Sequence, residues 1–180
     1  MNLTETSLPG VLLLDLDVFP DERGSFREVW QTEKMSALGL PDFRPVQSNI
    51  SESKYGVIRG VHAEPWDKLI HLAYGTAFAA IVDLREDQPT FGEVATFELD
   101  SSKVLYLPKG MGNSFQATSE LAVYAYLVTA HWSADLPYKA IAFDDPDLAI
   151  NWPVSGESQI VSEKDRRHPT MRQEYPNKYK

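Results

Sequence analysis

The chain has 180 residues, 43% of them hydrophobic and 24% charged, which is enough for one domain with a substantial buried core. Its formal net charge of −9 argues against nucleic acid or an anionic membrane surface as the main partner, although local Arg and Lys can still hold phosphates. It has no cysteine for a disulfide or thiolate metal site, no visible secretory signal and no apolar run near the ~20 residues that cross a bilayer, so the expected place is the cytoplasm.

In chain order, Gly10 to Phe19 reads as a strand, Pro20 to Gly24 as a turn and Ser25 to Trp30 as the returning strand. Gln31 to Leu38 is the best short helix of the first half, stopped by Gly39 and Pro41. Strand character follows in Val46 to Ile50 and again in Gly56 to His62. From there the pattern repeats as strand, turn, strand: Leu69 to Tyr74, Ala77 to Leu84, Gly92 to Leu99, Val104 to Leu107, Ser114 to Ala117 and Leu121 to Ala130. Turns separate several of these runs at Arg85 to Pro89, Asp100 to Ser102 and Pro108 to Gly112. Short β-runs at this spacing predict an all-β sandwich or barrel. After Trp132 the alternation is lost, and Asp144-Asp145-Pro146 and Trp152-Pro153 mark turns. From Ser162 the chain is strongly charged, is punctuated by Pro169 and Pro176, and has too few apolar residues for a core element. No internal repeat, linker or second domain is visible, so a single domain over 1–180 is expected, with its core over about 9–169 and a tail over 170–180.

The stretch from Val46 to Leu69 places Gln47, Asn49, Arg59, His62, Glu64 and Lys68 between apolar runs. A segment this polar costs stability if its only task is packing, so it reads as one wall of an active site centred on His62. An imidazole titrates near pH ~6.5 and takes a proton from a weak acid when a carboxylate orients it. The plainer role is a hydrogen-bonded structural histidine. Strand alternation puts Arg59 on the opposite parity from His62, unless Gly60 bends the strand. A metal site needs several ligands converging from neighbouring strands. His62 has no histidine two residues on, and Asn113 stands in the later turn, so no catalytic metal is expected. Tyr124 and Tyr126 share a strand face. Either is ordinarily a packing residue, but an inward tyrosine opposite a histidine supplies an acid and a base on two sides of a substrate. Trp132 reads as core or as a platform for a nucleobase. Asp165 lies in a run that reads as solvated, and Asp21 to Gly24 reads as an exposed turn.

Taken together, several ordered motifs resemble the dTDP-4-dehydrorhamnose 3,5-epimerase family. They are Asp21-Glu-Arg-Gly-Ser-Phe-Arg-Glu28, Val46-Gln-Ser-Asn49, Gly56-Val-Ile-Arg-Gly-Val-His62, and Val82-Asp-Leu-Arg85 with Pro89-Thr-Phe-Gly92. Leu107-Pro-Lys-Gly110, Asp144-Asp-Pro146, Ile150-Asn-Trp-Pro153 and Ser162-Glu-Lys-Asp165 complete the match, which runs from about Pro9 to Pro169. His62-Ala-Glu-Pro-Trp-Asp-Lys68 and Gly112-Asn-Ser-Phe-Gln116 look like the branch whose relatives are sometimes fused to a dTDP-4-dehydrorhamnose reductase. The resemblance implies a metal-free cupin jelly-roll barrel with short peripheral helices, a homodimer, possible association with such a reductase, and a dTDP-linked 4-keto-6-deoxy sugar as substrate. By position it makes His62 the general base, Asp165 its orienting carboxylate and Tyr126 the proton donor. Lys68 and Asn113 fall near the sugar, and Gln47, Asn49 and Arg59 around the diphosphate and sugar. Arg23, Glu28 and Lys164 complete the nucleotide site, with Arg23 able to reach the partner subunit, and Trp132 takes the place of an aromatic that stacks on thymine. The chain departs from many members in Asn113 for histidine, in Ala79 for aspartate and in a shorter segment from His62 to Lys68.

The implied reaction moves only protons. The C4 ketone acidifies the hydrogens at C3 and C5, and the enolate oxygen needs a cationic or hydrogen-bonding partner, for which Lys68 is the first choice. No hydride or electron leaves the substrate, so no cofactor is required. The rival readings are an epimerase of one carbon, a 3,4-ketoisomerase, a catalytically silent cupin that only binds a nucleotide sugar, and a metal-dependent cupin oxygenase.

Overall fold

The computed structural model describes residues 1–133, 135–136 and 138–179. Strands β1 (Asn2–Glu5) and β2 (Leu12–Asp15) pair antiparallel, and β3 (Phe19–Asp21) and β4 (Gly24–Phe26) form a small hairpin before helix α1 (Thr32–Ala37). The central run is β5 (Gln47–Lys54), β6 (Val57–Ala63), β7 (Lys68–Tyr74), β8 (Ala77–Asp83), β9 (Val94–Leu99), β10 (Lys103–Leu107), β11 (Met111–Ala117) and β12 (Leu121–Val128). The chain ends with β13 (Lys139–Ala140), β14 (Ile160–Val161) and the single-turn α2 (Met171–Glu174). No helix among the described residues is long and apolar enough to cross a membrane.

Two sheets are formed, in the orders β1-β2-β10-β7-β12-β5 and β13-β6-β11-β8-β9, with β14 running parallel beside β6. They face each other across a core that includes Ile70, Leu72, Ala79, Ile81, Phe115 and Tyr124, which is the expected all-β jelly roll. Strand parity explains the layering. In β8, Ala77, Ala79 and Ile81 join the core between the sheets, whereas Val82 packs in a second cluster with Met171 and Tyr175. Both faces of β8 are covered, so its sequence is an uninterrupted apolar run. The outer face of the first sheet is closed by Met35 of α1 with Leu40 and Phe43, packed on Leu14, Leu69 and Tyr106.

Several elements differ from the sequence expectation. The mostly exposed strand β1 has no alternation to announce it and is held by its ladder with β2 and by Leu3 packing on the outer cluster. Strand β4 ends at Phe26, and Val29 and Trp30 turn onto the outer cluster instead of continuing it. Met111 to Asn113, expected in a turn, open β11, and the turn closes at Gly110 with φ +89°. The segment beyond residue 169 does supply core side chains. Met171 and Tyr175 are buried against Val61 and Val82, on a turn started by the Thr170–Gln173 capping box.

The opposite parity read for Arg59 and His62 is overturned by a β-bulge at Gly60. Asn113 pairs with His62 and Phe115 with Arg59, so Gly60 and Val61 together oppose Ser114. The extra residue resets the alternation and brings Arg59 and His62 to the same cavity. Gly60 has φ +129°, and a Cβ there would lie 2.3 Å from that of Ser114, so glycine is required.

Candidate active site

A cavity of about 290 Å³ opens between the two sheets. Arg59 and His62 of β6 and Asn113 and Phe115 of β11 line one wall, while Lys68 of β7 and Tyr124 and Tyr126 of β12 line the other. Arg59 and His62 reach it through the bulge, and the others by parity. Lys68 shares its face with Ile70 and Leu72, Asn113 with Phe115, and Tyr126 with Tyr124.

Asp165 arrives from the C-terminal segment, which is fastened to the second sheet by buried polar groups. Gln116 of β11 donates to the Val154 carbonyl at 2.7 Å and accepts from its N–H at 2.8 Å, and within the segment Asp145 accepts from the Met171 N–H at 2.7 Å. After β14 the chain turns, the Ser162 hydroxyl accepts from the Asp165 N–H at 3.0 Å, and the carboxylate comes to rest at 5% exposure. Its Oδ1 lies 2.9 Å from His62 Nε2. Burial pushes the Asp165 carboxyl up, but the hydrogen bond with His62 and the positive potential of both neighbouring histidines outweigh it and hold it below the usual carboxylate range. An ionised Asp165 accepts from Nε2–H and leaves the imidazole lone pair on Nδ1.

His168, absent from the sequence expectations, is the second histidine on this carboxylate, with Nε2 3.7 Å from Asp165 Oδ1. Burial, then the charge of His62, keeps its pKa below the ordinary imidazole value. The ligand atoms of His62, Asp165 and His168 lie within 4.8 Å of one another, so this trio is the place where the described residues could hold a metal ion. His168 gave no sequence signal, since it lies beyond the Ser162–Asp165 motif in a charged run.

Lys68 is a second buried charged residue lining this cavity, at 5% exposure, and its ammonium is ion-paired with the Glu64 carboxylate. It also lies 5.2 Å from the centroid of the Tyr126 ring. Burial pushes the Tyr126 phenol up and the charge of Glu64 adds to this, with Arg59 opposing, so Tyr126 stays protonated at neutral pH. Tyr124 is fully buried, stacked on Phe115 at 3.9 Å, and donates to Asn113 Oδ1 at 3.0 Å. That bond leaves the Asn113 amide N–H groups available to a ligand.

The remaining expected residues divide into two sets. Gln47 and Asn49 share an inward parity on β5 beside Tyr126, and Gln47 Nε2 donates to Asn49 Oδ1 at 2.8 Å. Arg59 donates to Ser53 Oγ at 3.0 Å, and Lys164 lies at the cavity rim. Trp132 stacks on Tyr138 in an adjoining cavity of about 610 Å³ that shares His62, Glu64, Tyr126 and Lys164 with the first. Arg23 and Glu28 are not brought in. Arg23 is at the tip of the β3–β4 hairpin, its side chain 85% exposed and paired with Asp21, and Glu28 pairs with Lys34. Within one chain they therefore form no part of this cavity.

Asp165→Asn is expected to lower kcat by roughly a hundredfold or more, because an amide oxygen or N–H facing Nε2 no longer selects one imidazole tautomer. Steady-state kinetics with thermal melting as a folding control tests this, and a near-normal rate would confine Asp165 to structure.

The family model described as dTDP-4-dehydrorhamnose 3,5-epimerase matches residues 5–173. A protein named RmlC homolog from Streptococcus pyogenes serotype M6 is 42% identical, covering 96% of this chain and 90% of its own. The structure of RmlC from Streptococcus suis in complex with dTDP-D-xylose is similar at a TM-score of 0.89 and 40% identity, covering 94% of this chain and 90% of that one. The epimerase RmlC from Legionella pneumophila Philadelphia 1, in complex with dTDP-4-keto-L-rhamnose, is similar at a TM-score of 0.86 and 32% identity, covering 94% and 92%.

Proposed function

The chain belongs to the dTDP-4-dehydrorhamnose 3,5-epimerase family, and on that premise we propose how it epimerises C3 and C5 of dTDP-4-dehydro-6-deoxy-D-glucose to give dTDP-4-dehydro-L-rhamnose, for dTDP-rhamnose synthesis. One observation carries the reading: a histidine oriented by an ionised carboxylate and a protonated tyrosine come from facing sheets onto one cavity, with a buried lysine beside the tyrosine.

His62 removes the proton from C3 or C5 on one face of the ring. The charge moves to the C4 oxygen, where the Lys68 ammonium receives it, with the Asn113 amide as a second donor. Tyr126 returns a proton from the other face, which inverts the centre. A group acting on one face alone restores the starting configuration. Arg59 and Lys164 carry the positive charge suited to the diphosphate, and holding it fixes the ring against the base. Trp132 and Tyr138 give an aromatic shelf for thymine in the adjoining cavity. The reaction is tested by incubation with dTDP-4-keto-6-deoxyglucose in heavy water. Deuterium at both C3 and C5 with inverted product is expected. Exchange at one carbon would replace the reading by a single-carbon epimerase, and tight binding without exchange would replace it by a silent binder.

The functional unit in this reading is a homodimer. Phe19 and Phe26 stand exposed on the hairpin that carries Arg23, and Ile50 stands exposed on β5, the end strand of its sheet. Covering them with a second copy removes apolar surface from water and lets Arg23 complete the nucleotide site of its partner. Arg23→Ala is then expected to raise KM for the dTDP-sugar roughly tenfold to a hundredfold with kcat little changed. An unchanged KM, or a monomer in sedimentation, would remove Arg23 and the dimer from the site.

A further inference from the structure

We propose that Glu64 is a positioning residue, whose carboxylate fixes the Lys68 ammonium in the cavity as the cation that receives the enolate charge. The inference rests on the proposed function and gives a specific task to a residue that the sequence placed only in the polar wall around His62. Glu64 follows β6 directly and Lys68 opens β7, so the two ends of one short connection place an acid and a base four residues apart at the cavity wall. Lys68 cannot turn to water, since its side chain is only 6% exposed. A charged amine buried without a partner is strongly disfavoured against its neutral form, and a neutral amine gives the enolate oxygen no positive charge. Glu64 is the carboxylate paired with it.

The other charged or titratable groups facing this cavity do not replace Glu64. Arg59 and His62 come from β6 and Lys164 from the C-terminal loop, and none of them is an anion at neutral pH. Tyr124 and Tyr126 come from β12, where burial keeps both phenols protonated. Asp165 is committed to His62. Burial holds Lys68 below the ordinary amine value, while the charge and hydrogen bond of Glu64 raise it.

The sign follows directly. Activity needs protonated Lys68, so it is present below the lysine pKa and lost as pH rises through it. Glu64→Gln removes the negative charge that raises that pKa, leaves an amide oxygen that can still accept from the ammonium, and keeps the size and shape of the side chain. The alkaline limb of kcat is expected to move to lower pH by about one unit or more, and kcat at neutral pH to fall about tenfold. Glu64 also raises Tyr126, so the lysine must be followed separately. NMR titration of 13C-labelled lysine side chains, with Lys68 assigned through Lys68→Met, reports its midpoint without requiring turnover. A lower Lys68 midpoint in Glu64→Gln than in the wild type, with little added loss when Glu64→Gln is placed on Lys68→Met, supports the inference. An unmoved midpoint overturns it, as does loss of deuterium exchange at one carbon alone, which would make Glu64 a proton carrier. A wild-type protein that exchanges no deuterium would instead overturn the proposed function, and the NMR midpoints would still report on the pair.

Discussion

Replacing His62 by alanine is expected to lower kcat by about 10²–10⁴-fold, the range that a positioned general base contributes, while the protein remains folded. The two halves of this expectation come from different observations. The loss arises because no other group stands where the imidazole Nδ1 does: Asp165 meets Nε2 on the far side of the ring, the Glu64 carboxylate is paired with Lys68, and both tyrosines keep their protons. The fold survives because the His62 side chain is 37% exposed and fills no core position, so its removal leaves no large apolar void. The measurement is turnover of dTDP-4-keto-6-deoxyglucose beside a thermal melt. Substantial epimerase activity in a folded variant would refute the assigned base.

Tyr126→Phe is expected to lose inverted product by a comparable factor, about 10²–10⁴-fold, by a different route. Phenylalanine keeps the ring that packs against the core and lies near Lys68, so stability should change by less than about 1 kcal/mol. Only the donated proton is missing. His62 can still take a proton and give it back on the same face, so deuterium from solvent should continue to enter at C3 or C5 with retained configuration. Proton exchange without inversion, read by NMR, separates a missing donor from a damaged site. An unchanged yield of inverted product would remove Tyr126 from the scheme.

Much of the architecture was legible because the strands of two packed sheets must alternate or, where both faces are covered, run apolar. Leu69 to Tyr74, Ala77 to Leu84 and Leu121 to Ala130 carry that constraint openly, and each forms a strand. Strand β1 and the turn at Met171 were missed because neither shows such a pattern: one is mostly exposed, and the other buries just two of its residues, Met171 and Tyr175. Histidine, lysine and tyrosine were visible as candidates by residue type, and for Lys68 and Tyr126 strand parity also indicates an inward aim. Parity alone misled at Arg59 and His62, where the bulge at Gly60 adds one residue and returns both to the same side.

The sequence by itself determined the β-rich class, the polar wall around His62 and the family. Only the tertiary structure decided which charges act together. Asp165 sits in a run indistinguishable from solvated surface until the buried anchor at Gln116, with Asp145 bracing the segment internally, carries it to His62, 103 positions away in the chain. Tertiary packing likewise turns Glu64 and Lys68 from two polar residues at the ends of a short connection into a buried pair. Charge strength depends on distance and on exclusion of water. Neither quantity is written in local sequence, because both are set by what the rest of the chain places around the group.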